Sequence, residues 1–404
     1  MNEIVVIGSG QAAVQAVMSL KRNEFSGSIK IIGEEDHLPY QRPPLSKDFL
    51  LEGYKPERVS LKKIEFYEEN GVDLILGKRA ESIDASLKEI VLSGEIKINY
   101  DQLILATGSR VRKLNVPGSD KKGLYYLRDL DDANALKQRL KKSKQMVIVG
   151  AGYIGLEVAS VAASLGVEVT VIEMANRVMN RTVDPVISSY YQKLHESHGV
   201  KIHLDNGLKE FEGDDSVTAV LCSDGLRLEA NLVVIGAGVL PNQEIAMEAG
   251  LECNNGIMVN EYGETSNEHV YACGDCTNHP NKGLNTRLRL ESVHNAMEQS
   301  KTVASTIMGN REPYDQVPWF WSDQYDHKLQ LVGISGEHDE VIMRGSESEQ
   351  KFLLFYLKNS VLIAVNAINS SKEFLICRKL VANKVKISSD VIKDQSVNLN
   401  DLLL

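Results

Sequence analysis

Residues 3–35 decide the fold, reading EIVVIGSGQAAVQAVMSLKR at 3–22 and SIKIIGEE at 28–35. A short apolar run, a glycine turn, a helical stretch, a second apolar run and a closing acid are typical of a βαβ unit. Residues 145–173 repeat this arrangement as QMVIVGAGYIGLEVASVAASLGVEVTVIE. The repetition predicts two dinucleotide-binding units in one chain.

Later apolar strands end in glycine as well, namely DQLILATGS at 101–109, ANLVVIGAG at 230–238 and HVYACGDC at 269–276. From about 319 the chain changes to short apolar runs separated by Gly, Ser and charged residues, which favours a small antiparallel sheet with terminal helices. We therefore expect an α/β protein with two Rossmann-like domains, one inserted in the other, and a small α+β C-terminal domain. The predicted bounds are 1–113 plus 243–318, then 114–242, then 319–404.

Composition excludes several classes of function. The 404 residues carry 45 Lys and Arg against 55 Asp and Glu, a net charge of −10, which argues against nucleic acid or a membrane surface as a partner. We find no apolar run of membrane-spanning length, and the first strand begins too early for a secretory peptide. Five cysteines, an odd count, indicate reduced thiols. The expected location is the cytoplasm.

The first glycine turn carries the chemistry of phosphate binding. Gly8, Gly10 and Ala13 form GxGxxA. Gly8 permits the tight turn, Gly10 lets the backbone approach a pyrophosphate, and Ala13 keeps helix and strand close. Glu34, 26 residues after Gly8, is placed to accept a ribose hydroxyl.

The second turn contains Gly150, Gly152 and Gly155, with Glu173 at the end of the following strand. Glu173 favours NADH over NADPH, because a carboxylate accepts two ribose hydroxyls but repels a 2′-phosphate. Arg177 and Arg181 lie close by in sequence and would weaken that preference if they faced the phosphate. Two dinucleotide sites without an obvious hydrolytic triad or metal cluster indicate hydride transfer between two cofactors.

Several motifs are more specific than the glycine turns: QRPPLSK at 41–47, RLESVHNAMEQ at 289–299 and PWFWSDQY at 318–325. With LATGS, GAGYIGLE and YACGDC, they make almost the whole chain resemble the FAD-dependent ferredoxin reductases that serve cytochrome P450s and Rieske oxygenases. The resemblance implies a glutathione reductase-like fold, with an NAD domain inserted in an FAD domain. It also implies FAD and NADH as cofactors.

The resemblance assigns residues to the FAD site. Gly8, Gly10 and Ala12 correspond to the pyrophosphate site, Glu34 to the adenosine ribose site, and Lys47 to a position close to flavin N5. The other implied FAD-site positions are Arg42, Ala80, Thr107, Gly108, Arg128, Asp275 and Val293.

The resemblance also assigns the NADH site and the catalytic positions. It puts Glu157 near the nicotinamide, paired with Lys47 when no NADH is bound. The further implied NADH-site positions are Gly150, Gly152, Tyr153, Ile154, Gly155, Glu173, Arg181, Ala237 and Gly238. Ala237 replaces a commoner Ile of the family, which puts the packing around the ring in doubt.

The implied partner is a [2Fe-2S] ferredoxin of plant type or Rieske type. Trp321 would lie between the flavin edge and the docked ferredoxin, and Lys62, Lys301 and Arg378 match basic docking positions. Cys273 and Cys276 form CxxC, but they flank the GD that the flavin motif needs, so we expect no disulfide relay. Two histidines on a predicted helix, His195 and His198, are expected to be surface residues.

Two alternatives share this fold. One is an NADH oxidase or peroxide-reducing flavoprotein, which residues 1–200 disfavour because they contain no cysteine. The other is a redox-sensing protein that resembles apoptosis-inducing factor, in which NADH shifts conformation and dimerisation.

Overall fold

The computed structural model describes residues 3–51 and 54–403. The strands are β1 (Glu3–Ile7), β2 (Ser28–Ile32), β3 (Val72–Ile75), β4 (Ala80–Asp84), β5 (Glu89–Leu92), β6 (Ile96–Asn99), β7 (Gln102–Leu105), β8 (Ser109–Val111), β9 (Leu124–Tyr125), β10 (Gln145–Val149), β11 (Glu168–Ile172), β12 (Lys201–His203), β13 (Leu208–Glu212), β14 (Ala219–Cys222), β15 (Arg227–Glu229), β16 (Val233–Ile235), β17 (Val239–Pro241), β18 (Ile257–Met258), β19 (Val270–Ala272), β20 (Thr277–Asn281), β21 (Thr286–Leu288), β22 (Trp319–Gln324), β23 (His327–Gly333), β24 (Glu340–Ser346), β25 (Lys351–Lys358) and β26 (Val361–Ile368).

The α-helices are α1 (Gln11–Arg22), α2 (Ile64–Glu69), α3 (Leu130–Leu140), α4 (Tyr153–Ser164), α5 (Pro185–Ser197), α6 (Glu244–Glu248), α7 (Val293–Ile307), α8 (Ser371–Ala382) and α9 (Ser389–Lys393). Short 3₁₀ turns occupy Pro43–Ser46, Asp48–Leu50, Pro56–Val59 and Leu399–Leu403.

Chain contacts divide the structure into two compact units. The first contains Met1–Gln41, Glu57–Arg110 and Leu240–Pro318, and the second contains Arg42–Pro56, Val111–Val239 and Trp319–Leu404. The second unit thus includes the second βαβ repeat, the C-terminal region and the segment that carries RPPLSK. The finer division into three domains stays a prediction.

The first unit is built on a parallel sheet with the order β19-β7-β1-β2-β3. Side chains of β1 alternate between two apolar layers. Ile4 and Val6 pack with α1 and α7, whereas Val5 and Ile7 pack with the small sheet β4-β5-β6 and the segment after β17. A strand that is covered on both faces reads as a continuous apolar run, which explains IVVI in the sequence.

The second unit repeats this plan with the parallel order β12-β11-β10-β16-β9 and adds the antiparallel sheet β22-β23-β26-β25-β24. Helix α8 packs against β26 and β23 of that antiparallel sheet. The predicted α/β fold class is confirmed, including the small antiparallel sheet followed by helices.

Candidate functional site: two dinucleotide cradles and a buried ion pair

The first glycine turn is open where a pyrophosphate would approach. Gly8 has φ +115°, and a Cβ there would lie 2.1 Å from the Ala106 carbonyl oxygen, so only glycine fits the turn. Gly10 precedes α1, and a Cβ there would meet no protein atom within 4 Å. The space next to Gly10, at a helix N-terminus, suits an anionic phosphate. Ala13 is fully buried in the contact between helix and strand.

Other predicted FAD-site residues follow the carboxyl ends of neighbouring parallel strands. Thr107 and Gly108 follow β7, and Asp275 follows β19. Strands β1, β7 and β19 are adjacent, so the turns after them meet at one edge of the sheet. A Cβ on Gly274 would lie 3.1 Å from the Ala12 Cβ, which brings the Asp275 turn against the start of α1.

Hydrogen bonds hold these turns in place. The Thr107 hydroxyl donates to the Asn242 carbonyl oxygen (2.6 Å), and the Ser109 hydroxyl donates to Asp275 Oδ2 (3.1 Å). Gln299 Oε1 accepts from the Gly274 N–H (2.8 Å) and from the Thr277 hydroxyl (2.9 Å). Sequence reasoning missed Gln299, although it lies inside the quoted RLESVHNAMEQ motif.

The remaining FAD-site predictions are spread over both units. Glu34 follows β2, and its carboxylate is exposed. Its Oε1 lies 3.4 Å from Nη1 of Arg79, the residue before Ala80 at the start of β4. Val293 is the first residue of α7. In the second unit, Arg42 Nη1 donates to the carbonyl oxygen of Arg128 (2.8 Å).

The second glycine turn repeats the geometry of the first. Gly150 has φ +103°, and a Cβ there would lie 2.5 Å from the Gly236 carbonyl oxygen. A Cβ on Gly155 would lie 2.2 Å from the Gly150 carbonyl oxygen, so this helix packs tightly on its turn. At Gly152 a Cβ would meet nothing within 4 Å, which leaves room for a second pyrophosphate.

The aromatic and arginine predictions of this site have definite neighbours. The Tyr153 ring packs on the Phe320 ring, with 4.6 Å between centroids, and Ile154 is exposed. Gly238, next to Ala237, has φ +89°, and a Cβ there would lie 3.8 Å from the Arg181 guanidinium. The structure thus brings Arg181 to the Gly238 turn.

The carboxylate of Glu173 lies at the second glycine turn. It accepts from the backbone N–H groups of Ala151 (2.7 Å) and Ala175 (2.8 Å). The two backbone donors fix the direction of the carboxylate at the end of β11. The predicted ribose acceptor is therefore held next to the predicted NADH phosphate site.

Arg177 points its donors into the protein. Its Nη1 donates to the Val183 carbonyl oxygen (2.7 Å) and to the Ser188 hydroxyl (2.8 Å), and its Nη2 donates to the Asn180 carbonyl oxygen (2.8 Å). These bonds tie the loop that precedes α5. Arg177 thus serves the structure of this loop, while the preference for NADH over NADPH stays a prediction.

The second unit contains a buried ion pair between Lys47 and Glu157. Lys47 Nζ lies 2.7 Å from Glu157 Oε2, and the Glu157 side chain is only 4% exposed. Ser46 donates to Oε2 (2.5 Å) and Ser322 donates to Oε1 (2.6 Å). A buried carboxylate needs such partners, because removing a charge from water without them is costly.

The predicted docking residues divide between the two units. In the second unit, the rings of Trp319 and Trp321 lie 5.4 Å apart on β22, and the Arg378 guanidinium lies 4.6 Å from the Trp319 ring. In the first unit, Lys62 Nζ lies 5.1 Å from the Phe66 ring, and Lys301 Nζ lies 2.6 Å from Glu298.

The prediction that both histidines of α5 and its end lie on the surface is correct for His198 and wrong for His195. His198 is exposed, but His195 is fully buried, because its ring hydrogen-bonds to Gln324 (2.8 Å), 129 residues away in sequence. A lone histidine pair on a predicted helix gives no signal of such a distant partner.

The cysteines are thiols with little nucleophilic character. Burial raises the pKa of Cys273 to about 12, and it also raises the pKa of Cys276. A thiol that stays protonated at neutral pH is a poor nucleophile. The absence of a disulfide relay stays a prediction. Within 3–51 and 54–403, no group of His, Cys, Asp and Glu is arranged to hold a metal ion. None of the helices in that same part of the chain has the length and apolarity needed to cross a membrane.

The two open glycine turns, each at the carboxyl edge of a parallel sheet, fit two dinucleotides and define the class of protein. The pyridine nucleotide-disulphide oxidoreductase family model matches residues 2–300, and a reductase C-terminal model matches 319–403. Rhodocoxin reductase of Rhodococcus erythropolis is 38% identical over 98% of this chain and 93% of its own.

Solved structures agree with this class. The ferredoxin reductase for the CYP199A2 system of Rhodopseudomonas palustris is 39% identical, with a TM-score of 0.98 and 100% coverage of both chains. The reductase in a covalent putidaredoxin reductase–putidaredoxin complex is 35% identical, with a TM-score of 0.96 over 100% of this chain and 98% of that one. The chain belongs to the FAD- and NAD-dependent ferredoxin reductases. The predicted family, enzyme class and cofactors are thereby confirmed.

Proposed function

We propose that this enzyme transfers a hydride from NADH to FAD and then passes single electrons to a [2Fe-2S] ferredoxin that supplies a cytochrome P450 or a Rieske oxygenase. The observation that carries the proposal is the pair of open cradles at Gly10 and Gly152, one in each parallel sheet. Bound FAD would supply the conversion between two-electron and one-electron chemistry that the protein side chains cannot perform.

The FAD site is assigned to residues around the first turn. The backbone at Gly8, Gly10 and Ala12 would hold the pyrophosphate at the positive end of α1. Glu34 would accept from the adenosine ribose and Asp275 from the ribitol chain. Supporting positions are Ala13, Arg42, Ala80, Thr107, Gly108, Arg128 and Val293.

The NADH site is assigned to the second turn. Gly150, Gly152 and Gly155 would hold the pyrophosphate, and Glu173 would accept from the adenosine ribose. Tyr153, Ile154, Arg181, Ala237 and Gly238 complete the assigned site.

Lys47 and Glu157 are assigned to the reacting end of the two cofactors. Their ion pair keeps a positive and a negative charge close together in a site with little water. Lys47 would stabilise negative charge on the flavin, and Glu157 would orient the nicotinamide. Because hydride transfer depends on the distance and angle between two rings, positioning is the main contribution expected from these side chains.

The partner assignment rests on charge and on aromatic surface. Ferredoxins that are acidic need basic positions on this acidic chain, and we assign Lys62, Lys301 and Arg378 to that role. Trp321 is assigned to the contact between the flavin edge and the ferredoxin. We also propose a cytoplasmic location, which the free thiols of the described cysteines support.

Purification with NADH assays tests the function as a whole. The protein should be yellow, reduce ferricyanide with NADH, and reduce cytochrome c when a ferredoxin is added. Formation of hydrogen peroxide as the main product would favour the oxidase alternative. Slow NADH turnover with a long-lived charge-transfer complex, even with ferredoxin present, would favour the sensing alternative.

Glu173→Ala should raise the KM for NADH about tenfold, because a charge-assisted hydrogen bond contributes about 1.5 kcal/mol or more. The kcat for ferricyanide and the bound flavin should stay near the values of the unsubstituted enzyme. Steady-state kinetics with NADH and NADPH measure the effect. Efficiency with NADPH equal to that with NADH in the unsubstituted enzyme, or an unchanged KM in the variant, would contradict the role of Glu173.

Lys301→Glu should weaken ferredoxin reduction about tenfold at low ionic strength and leave ferricyanide reduction intact, because charged docking contacts act mainly on association. The difference should shrink as salt is added. Lys97→Glu is a matched control, since Lys97 is also an exposed lysine that pairs with a glutamate, Glu89. Equal loss of both activities in Lys301→Glu would count against a docking role.

A further inference from the structure

Strand β22 directs two polar side chains into the interior of the second unit. Phe320, Ser322 and Gln324 alternate with the tryptophans, and Ser322 and Gln324 are fully buried. The Gln324 amide nitrogen donates to Ser322 Oγ (3.2 Å), and the Ser322 hydroxyl donates to Glu157 Oε1 (2.6 Å). The ion-pair carboxylate is therefore linked to the end of β22.

The link continues to His195 on α5. His195 Nε2 lies 2.8 Å from Gln324 Oε1, and the Tyr325 hydroxyl lies 3.2 Å from His195 Nδ1. Burial lowers the pKa of His195 to about 4, so the ring is neutral at pH 7 and has one N–H. An amide oxygen only accepts, so that hydrogen is on Nε2, and Nδ1 accepts from Tyr325.

These directions make a single series of donors: Tyr325 to His195, His195 to Gln324, Gln324 to Ser322, and Ser322 to Glu157. We call the four donors, Tyr325, His195, Gln324 and Ser322, the donor chain. We propose that the donor chain positions the Glu157 carboxylate for its role beside the nicotinamide, which makes His195 and Gln324 positioning residues. The inference rests on the proposed function, because it deepens the role given there to Glu157.

The two oxygens of Glu157 are held in different ways. Oε2 accepts from Ser46 and lies 2.7 Å from Lys47 Nζ. Among the described residues, Ser322 is the hydrogen-bond donor to Oε1. The Gln324 amide donates to the Ser322 oxygen, and this bond helps to direct the Ser322 hydrogen toward Glu157. Successive donors polarise one another, and the interior strengthens each bond, so the chain is expected to act as a unit.

Burial restricts the side-chain conformations of the donor chain. His195, Gln324 and Ser322 have no exposed surface, so no water replaces a lost partner without rearrangement. A side chain held in one rotamer by packing and hydrogen bonds keeps a reacting group in place, which is what hydride transfer requires of Glu157.

His195→Phe tests the chain with a matched control on the same helix. Phenylalanine fills the ring volume but removes both nitrogen atoms. His198→Phe is the control, because His198 stacks on Tyr325 with 3.8 Å between ring centroids, and a phenyl ring preserves that stack. Stopped-flow reduction at several NADH concentrations should show the limiting rate of His195→Phe reduced about tenfold, with NADH affinity changed less than the rate. Equal effects of the two variants would overturn the proposal.

A double-mutant cycle separates positioning from a general structural effect. Ser322→Ala removes the last donor of the donor chain. If the donor chain acts as a unit, adding His195→Phe to Ser322→Ala should lower the limiting rate of reduction by less than about twofold more. Full additivity of the two effects would contradict the proposal. Tyr325→Phe, which removes only the outermost hydroxyl, gives a milder third variant in case His195→Phe lowers the folded yield.

An infrared measurement on the resting oxidised enzyme does not depend on activity. The difference spectrum between the unsubstituted protein and Glu157→Gln identifies the Glu157 carboxylate band. That band should shift in Ser322→Ala and in His195→Phe, and it should stay in place in His198→Phe. An unmoved band in His195→Phe would contradict the inference. The band shifts do not require turnover, so they test the donor chain separately from the proposed function. A protein that NADH does not reduce at all would contradict the proposed function.

Discussion

Gly10→Ala should give a folded protein that binds its flavin more weakly. Alanine is compatible with the backbone at this position, which has φ −89° and ψ −164°, and its Cβ would touch no protein atom within 4 Å. The methyl group would fill the space that the proposed FAD pyrophosphate needs. We expect the affinity for FAD to fall about tenfold or more, since a close backbone approach to phosphate is the function of this glycine. The ratio of flavin to protein absorbance measures the loss, and far-UV circular dichroism checks the fold.

Two other glycines provide controls with opposite outcomes. Gly152→Ala adds the same methyl group at the matching place of the second turn, so it should keep a full complement of flavin and raise the KM for NADH. Gly8→Ala should reduce the folded yield itself, because its Cβ would lie 2.1 Å from the Ala106 carbonyl oxygen at φ +115°. If Gly10→Ala retained full flavin affinity, the pyrophosphate would not bind at this turn.

The glycine turns were predictable because their physics is local. Each is a strand, a turn and a helix within about 30 residues, and the close approaches at Gly8 and Gly150 have the form that the motif implies. The fold class followed from the order of these units and from the short apolar runs after residue 319. Local patterns determined these features, and the sequence contains the patterns in full.

The surroundings of Glu157 were not predictable in the same way. Lys47 could be paired with it only through the resemblance, and its donors Ser46 and Ser322 are 111 and 165 positions away in sequence. Serines are too common for sequence alone to reveal such pairs. Arg177 shows the same limit, because its partners include backbone carbonyl groups of a loop whose path no side-chain pattern specifies.

Trp321→Ala should reduce electron transfer to ferredoxin about thirtyfold while ferricyanide reduction by NADH continues at its usual rate. A tryptophan in the centre of an interface commonly contributes about 2 kcal/mol or more to binding, which corresponds to this factor. Ferricyanide is small and needs no docked surface, so it reports the NADH half of the reaction alone. Cytochrome c reduction through added ferredoxin, measured over a range of ferredoxin concentrations, reports the other half.

The position of Trp321 on β22 makes this test specific. Its ring lies on the same side of the strand as Trp319, 5.4 Å away, while Ser322 and Gln324 point to the opposite, buried side. Removing the indole should therefore leave the contacts of Glu157 in place, and the rate of flavin reduction by NADH should not change. Trp321→Phe keeps an aromatic ring and should recover part of the lost ferredoxin activity. Equal loss of ferricyanide and ferredoxin activity in Trp321→Ala would show that the ring supports the structure of the strand and not the docking of a partner.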